Sequence, residues 1–162
     1  MTRSESLSQQ STEAAVAEVD GRAGPFVSVL IFEFGGERFA ISVEGTEGVV
    51  DCPRLSPLPN APEGLTGIGS VRGRITLAVS LNLEAASTSA KTRLILLKGE
   101  AQLGLLADHV EGVVALSSKQ VLKPRPPESR KGKPSWWTAS ACFKHSGRVV
   151  PIVDVERLPQ AL

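Results

Sequence analysis

Cys142 and His145 form a short Cys-x-x-His pair, a spacing that raises the question of a metal site or of a nucleophile with its base. The surrounding residues are typical of a β-strand, in which successive side chains point to opposite faces. Residues three apart then face opposite ways, so the two side chains do not readily reach one ion. A structural zinc site needs four ligands, and Cys52 and His109 are the only other residues of these two types. The pair therefore predicts a half-buried structural thiol and no metal site.

Asp108, His109 and Asp154 have the residue types of an acid, a base or the members of a catalytic triad. No Gly-x-Ser-x-Gly elbow, paired-carboxylate spacing or glycine-rich phosphate loop accompanies them. The glycines of GLTGIGSVRG lie in a run that continues as a strand and does not open a helix. We therefore expect neither an enzyme nor a bound cofactor.

The composition indicates a soluble globular protein. Of the 162 residues, 41% are hydrophobic and 22% charged, which is ordinary for such proteins. No apolar run approaches the roughly 20 residues that span a bilayer, and the N-terminal residues lack the pattern of a secretory signal. We expect a cytoplasmic protein with no direct membrane insertion. The two cysteines are too few for a disulfide framework and are interpreted as free thiols.

Two segments of the chain do not have the pattern of a packed core. Residues 1–25 are polar, with only scattered Leu and Val, and are predicted to form a disordered, flexible tail. Leu122–Ser135 holds five bases, one acid and four prolines, a composition that disfavours both a helix interior and a central strand. We interpret this second segment as an exposed loop.

The rest of the chain consists of short strands in an order that occurs twice. Glu47–Val50 and Glu111–Val114 are identical, and GRITLAVSLN at Gly73 resembles GRVVPIVDVE at Gly147. Because these matches keep their order and each follows a predicted hairpin, they indicate an internal duplication. Each unit has about five short strands, a number that closes into a small barrel without leaving a long unpaired edge. The sequence predicts an all-β fold of two tandem five-stranded barrels packed together.

The predicted domain boundaries follow from this duplication. A domain of residues 26–158 would contain two barrel subdomains, one of about residues 26–90 with strand exchange and one of about residues 91–158.

Several strands are apolar on both faces, unlike a strand of an isolated small barrel. The clearest are FVSVLIFEF, RLILL and RVVPIVDV. Their second face needs a cover, which is either the sister barrel or an outside partner, because soluble proteins rarely expose large apolar patches. At about 25 cal/mol per Å², even a few hundred Å² of exposed apolar surface favours association by several kcal/mol. We therefore expect an apolar groove between the barrels.

Arg72 lies where two apolar strands turn, in SVRGRI. A guanidinium there either pairs with a nearby carboxylate or carbonyl, or lies at a surface that a partner contacts. Arginine is enriched in protein interfaces, so the second interpretation makes Arg72 a contact at the rim of the groove.

Nucleic-acid binding is the alternative function, since small β-barrels and basic loops often occur together in such proteins. The basic loop at residues 122–135 and the adjacent Trp136-Trp137 pair favour it. Binding of this kind uses stacking aromatic residues on an exposed sheet, whereas the chain has seven aromatic residues and no tyrosine. The first interpretation therefore remains a protein that binds other proteins and no nucleic acid.

The segments FVSVLIFEFGGERFAISVEGTEGVV and LPNAPEGLTGIGSVRGRITLAVSLN resemble the CheW family of bacterial chemosensory adaptors. The resemblance extends through LGLLADHVEGVV to RVVPIVDVERL, from about Phe26 to Leu158. It implies two SH3-like five-stranded barrels and a short C-terminal helix. It also implies a non-catalytic scaffold that couples the signalling tip of chemoreceptors to the regulatory domain of a CheA-type histidine kinase, recruited to receptor arrays from the cytoplasm.

The resemblance also implies which residues contact each partner. The receptor's helical hairpin would lie in the groove between the barrels, on Thr46, Val49, Val50, Val71, Arg72, Leu105 and Leu106. The kinase would dock against the first barrel, on Glu47, Gly48 and Gly73. The chain departs from the family pattern at Thr46, Gly48, Ser70 and Ser80, and these departures fall at or near positions expected to face a partner.

Overall fold

The structure is a computed structural model and describes residues 26–83, 88–124 and 139–158. Ten β-strands lie in these residues: β1 (Phe26–Phe34), β2 (Glu37–Ser42), β3 (Thr46–Asp51), β4 (Leu65–Val71), β5 (Arg74–Val79), β6 (Arg93–Leu97), β7 (Leu103–Ala107), β8 (His109–Ser117), β9 (Ala139–His145) and β10 (Arg148–Val153). Single turns of 3-10 helix lie at Val43–Gly45 and Val155–Arg157. The predicted all-β class is confirmed, and the second turn corresponds to the short C-terminal helix. The tail predicted at 1–25 lies outside the described residues.

The ten strands form two sheets of five, and each sheet takes strands from both halves of the sequence. The strand order is β8-β1-β2-β10-β9 in one sheet, here called barrel A, and β3-β6-β7-β5-β4 in the other, barrel B. Replacing each of β1 to β5 by its counterpart among β6 to β10 turns one order into the other. A boundary at about residue 90 therefore falls between the two repeats and not between the two sheets.

Short bridges join the two edges of each sheet. In barrel B the chain beyond β3 reaches β4, where Ser56 and Ile68 exchange backbone hydrogen bonds of 2.7 and 2.9 Å. In barrel A the chain beyond β8 reaches β9, where Leu122 and Cys142 exchange bonds of 2.7 and 3.1 Å. Each sheet thereby closes into a small barrel, which leaves no long edge open for pairing with another chain.

Strand β1 is buried on both faces because it belongs to two cores. Val29 and Ile31 pack inside barrel A with Phe143, whereas Leu30 and Phe32 pack in a second cluster with residues of barrel B. The alternation of adjacent residues between the clusters follows the two-residue period of a strand. The sister barrel is therefore the cover of this strand's second face, so these buried residues of β1 do not themselves line a groove.

The same shared core explains a second correction. Leu105 and Leu106 of β7 are 0% exposed and belong to the cluster that joins the barrels. They were expected to line a groove for a docked helix, but a fully buried side chain does not contact a partner on the surface. Strand β7 is apolar on both faces for the reason that holds for β1: the chain's own side chains cover each face.

Candidate functional site

The repeated Glu-Gly-Val-Val sequence forms the same irregularity in both barrels. The pairing register of β3 with β6 shifts between Thr46 and Gly48, and that of β8 with β1 shifts between Val110 and Gly112. The two glycines have φ values of +155° and +139°, which other residues rarely adopt. A β-bulge of this kind sets two residues against one on the neighbouring strand. The duplicated sequence thus encodes a duplicated bulge.

Each bulge changes which side chains share a face. In a regular strand, residues three apart point to opposite faces, but the extra residue restores them to one face. Val110 pairs with Phe32 and Val113 with Leu30, and both of these β1 residues face the shared core. In β3, Thr46 and Val49 are related by the equivalent bulge. The bulges therefore direct Thr46, Val49, Val110 and Val113 toward the line where the two barrels meet.

An open cleft of about 630 Å³ lies between β3 and β8 on this line. We call it the β3–β8 cleft, and its lining consists of Val49, Asp51, Ala90, Lys91, Arg93, Asp108, His109 and Val110. Val49 and Val110 are half-buried and form its apolar part. Farther along β8, Val113 is 60% exposed, a large fraction for a valine on the core-facing side of a strand. The cleft combines apolar strand surface with a charged end.

The acids at the charged end are already occupied. Asp51 pairs with Arg93 at 3.3 Å, and the carboxylate of Asp108 accepts a 2.9 Å hydrogen bond from the backbone N–H of Gly35. Lys91 and His109 are exposed, and their side chains have no ion-pair or hydrogen-bond partner among the described residues. Because the Asp51–Arg93 pair is itself well exposed, it contributes little to stability, about 0–1 kcal/mol.

The β4–β5 hairpin forms a second exposed feature. Arg72 and Gly73 make a two-residue turn with φ values of +54° and +78°, the positive values that tight hairpins require. The Arg72 side chain is exposed and forms no ion pair with another described residue. Gln102 Nε2 donates to the carbonyl of Val71 at 3.4 Å, which ties the base of the turn to β7. Beside the turn, Ile75 is 68% exposed.

The residues expected to form one receptor groove do not form one continuous surface. Thr46 and Val49 lie on β3, whereas Arg72 lies in the turn between β4 and β5. Val49 lines the β3–β8 cleft, and Arg72 does not. Val71 is only 6% exposed, whereas Thr46, Val49 and Val50 are half-buried and Arg72 is exposed. Of the expected set, Thr46, Val49, Val50 and Arg72 therefore keep some accessible surface, on β3 and in the β4–β5 turn.

Two of the departures from the family pattern have local structural reasons. Ser80 is 1% exposed, and its hydroxyl donates to the carbonyl of Asn82 at 2.7 Å where β5 ends, so it does not face a partner. Gly48 occupies the bulge, where its positive φ disfavours any residue that has a Cβ. Ser70 is exposed on β4 opposite Ile75, so it does lie on the surface.

The chemically suggestive residues of the sequence are not brought together. Cys142 is buried, and its thiol donates to the carbonyl of Lys123 at 3.3 Å. Burial raises the pKa of the Cys52 thiol, which keeps this group in its unreactive protonated form. Both cysteines are free thiols, as predicted. Within residues 26–83, 88–124 and 139–158, no group of three or more His, Cys, Asp or Glu side chains could hold a metal ion.

Sequence reasoning missed most of the cleft. The sequence suggests only catalytic roles for Asp108 and His109. No sequence pattern indicates a functional role for Lys91, Arg93 or Asp51. The available signal was the duplication itself, since equivalent strands β3 and β8 lie beside each other across the boundary between the barrels. The basic loop and Trp136-Trp137 lie almost entirely outside the described residues, which end at Pro124 and resume at Ala139. In the described part of the chain, no helix has the length and apolarity needed to cross a membrane.

Comparisons with known proteins agree with this architecture. The family description "CheW-like domain" matches residues 28–162. The chemotaxis protein CheW of Thermotoga maritima is 25% identical over 134 residues, covering 80% of this chain and 85% of that protein. The chemotaxis protein CheW of Klebsiella aerogenes is 26% identical over 152 residues, covering 90% of each.

A solved structure has the same fold. The crystal structure of the scaffolding protein TtCheW from Thermoanaerobacter tengcongensis has a TM-score of 0.65 to this chain and covers 79% of it and 88% of that protein. The two sequences are 19% identical, so this comparison concerns the fold alone. It agrees with the two SH3-like barrels that the strand order shows.

Proposed function

This chain belongs to the CheW-like domain family, and we propose on that premise that it is a non-catalytic adaptor of bacterial chemosensory signalling. It couples the signalling tip of a chemoreceptor to the regulatory domain of a CheA-type histidine kinase, and it acts in the cytoplasm at receptor arrays. The observation that carries the proposal is the β3–β8 cleft, an accessible apolar strip at the boundary of two barrels whose cores are otherwise closed.

The dimensions of the cleft suit one helix. From Thr46 to Asp51, β3 extends about 16 Å at 3.3 Å per residue, the length of about eleven residues of α-helix. An amphipathic helix lays its apolar face into such a groove through residues spaced three or four apart. The accessible valines Val49, Val110 and Val113 supply the apolar contacts.

Arg72 contacts the second helix of the receptor's hairpin in this proposal. It lies in the exposed β4–β5 turn of barrel B, outside the lining of the cleft. One helix with its side chains is about 10–12 Å across, so a helical hairpin is about twice as wide as the helix that lies in the cleft. The helix outside the cleft is then the one available to the β4–β5 turn.

The kinase contact is proposed for the exposed groups of barrel B that the cleft does not use. Glu47 is exposed and makes no ion pair with a described residue, whereas its counterpart Glu111 is held by Arg38 at 2.8 Å. Gly73 lies in the exposed turn. Gly48 has no side chain and contributes only its backbone. Nothing lies within 4 Å of the position that a Cβ would take, so other side chains do not cover it there. The nucleic-acid alternative is not favoured by the family to which the chain belongs.

The test is co-elution of the protein with a receptor signalling fragment, comparing two substitutions at exposed valines. Val113→Asp adds a desolvated charge to the apolar strip, and we expect it to weaken receptor binding at least tenfold. Val27→Asp is the matched control, because Val27 is 41% exposed and lies on β1 three residues from Leu30, the residue that pairs with Val113. Equal binding by both variants, or no binding by the unmodified protein, would contradict the proposal.

A further inference from the structure

The charged side chains at one end of the β3–β8 cleft differ in whether they have an intramolecular partner. Three bases and two acids line that end: Lys91, Arg93, His109, Asp51 and Asp108. With histidine neutral, their formal charges cancel. These groups differ in whether they have a partner. Both carboxylates accept from a donor within the protein, whereas the Lys91 side chain has no partner among the described residues.

Lys91 is held in place by its backbone. Its N–H donates to the Ser89 hydroxyl at 3.2 Å, and Ser89 in turn donates its own N–H to the Thr92 hydroxyl at 2.9 Å. Thr92 is 2% exposed, and its carbonyl accepts from the N–H of Cys52 at 3.0 Å, just beyond β3. The ammonium group therefore extends from an anchored turn beside the cleft.

We propose that Lys91 is a specificity-determining residue that requires a carboxylate on the docked helix, placed at the end of its apolar face. The inference rests on the proposed function, since the occupant is the receptor helix in the cleft. Its basis is charge complementarity: an accessible ammonium lies at the end of the cleft where both lining acids, Asp51 and Asp108, already have a donor. Docking is then directional, because Lys91 lines one end of the cleft, whereas Lys98, which follows the other end of β6, does not line it.

A second lysine near strand β6 provides a comparison for Lys91. Lys98 follows the other end of β6, is also exposed, and does not line the cleft. It has the same side chain and lies one residue beyond the end of β6, whereas Lys91 lies two residues before its start. It therefore serves as a matched control for the charge at Lys91.

The experiment measures the affinity of the full chain for a receptor signalling fragment by titration calorimetry. Lys91→Glu is expected to lower the affinity at least about tenfold, by placing like charges together, and Lys98→Glu less than about twofold. Exchanging one carboxylate of the receptor fragment for lysine should then restore binding to Lys91→Glu. Thermal unfolding of each variant monitors the fold, and Lys91→Gln, which keeps the turn, should lose part of the affinity.

Three results of the titration would count against the role of Lys91, and only one of them also counts against the cleft as the receptor site. If the unmodified protein and Lys91→Glu bind equally well, the inference is overturned while the cleft assignment stands. If both lysine variants weaken binding equally, the effect is general electrostatics and the inference is also overturned. If the unmodified protein does not bind the receptor fragment, the proposed function fails, and this inference fails with it.

Discussion

At the scale of single residues, the two bulge glycines explain most about the site. Gly48 and Gly112 have open space around them, so a larger side chain is not excluded by contacts. It is disfavoured by the backbone, because φ values of +155° and +139° are costly for residues with a Cβ. Without the bulge, Val110 and Val113 would point to opposite faces of β8 and the apolar strip would be lost.

The prediction at this scale concerns stability. Gly48→Ala and Gly112→Ala should each lower the free energy of unfolding by about 1–2 kcal/mol, since both must hold an L-residue in a strained conformation. Denaturant unfolding measures the change, and Glu47→Ala, at the neighbouring exposed position, is the control. Two alanine variants as stable as the parent would show that the bulges do not require glycine.

At the scale of elements, alternation predicted the strands well but could not identify their neighbours. The hairpins at Gly35-Gly36 and Ser146-Gly147 lie where turn residues and period-two patterns indicated. The doubly apolar FVSVLIFEF and RLILL correctly required a second cover. The sequence does not decide whether the sister barrel or an outside partner covers this second face. Burial depends on contacts between segments that are far apart in the chain, such as β1 with β8. For that reason the sequence did not reveal that Leu105 and Leu106 of β7 are fully buried.

The prediction for β7 distinguishes a core residue from a contact residue. Leu105→Ala should cost about 2–5 kcal/mol of unfolding free energy, as for other fully buried leucines, because it opens a cavity in the core shared by the barrels. The folded fraction should bind a receptor fragment with unchanged affinity. A stable Leu105→Ala variant with weakened binding would instead support a surface role for this residue.

At the scale of the whole molecule, the duplication organises both the fold and the site. The two sheets have equivalent strand orders, and each takes a hairpin from one half of the sequence and three strands from the other. We propose that residues 26–90 and 91–158 are the two copies of the ancestral unit within one domain. Exchange between copies sets β3 and β8 beside each other, so neither half alone contains the cleft. This dependence is why motif matching found β3 but missed the partner strand.

The most direct test of the cleft as the docking site is a methyl NMR titration of the valine-labelled protein with a receptor signalling fragment. We predict that the Val49, Val110 and Val113 signals shift or broaden together as the fragment is added, while the Val27 signal does not change. Perturbation confined to valines outside the cleft, with Val49, Val110 and Val113 unchanged at saturation, would contradict the account.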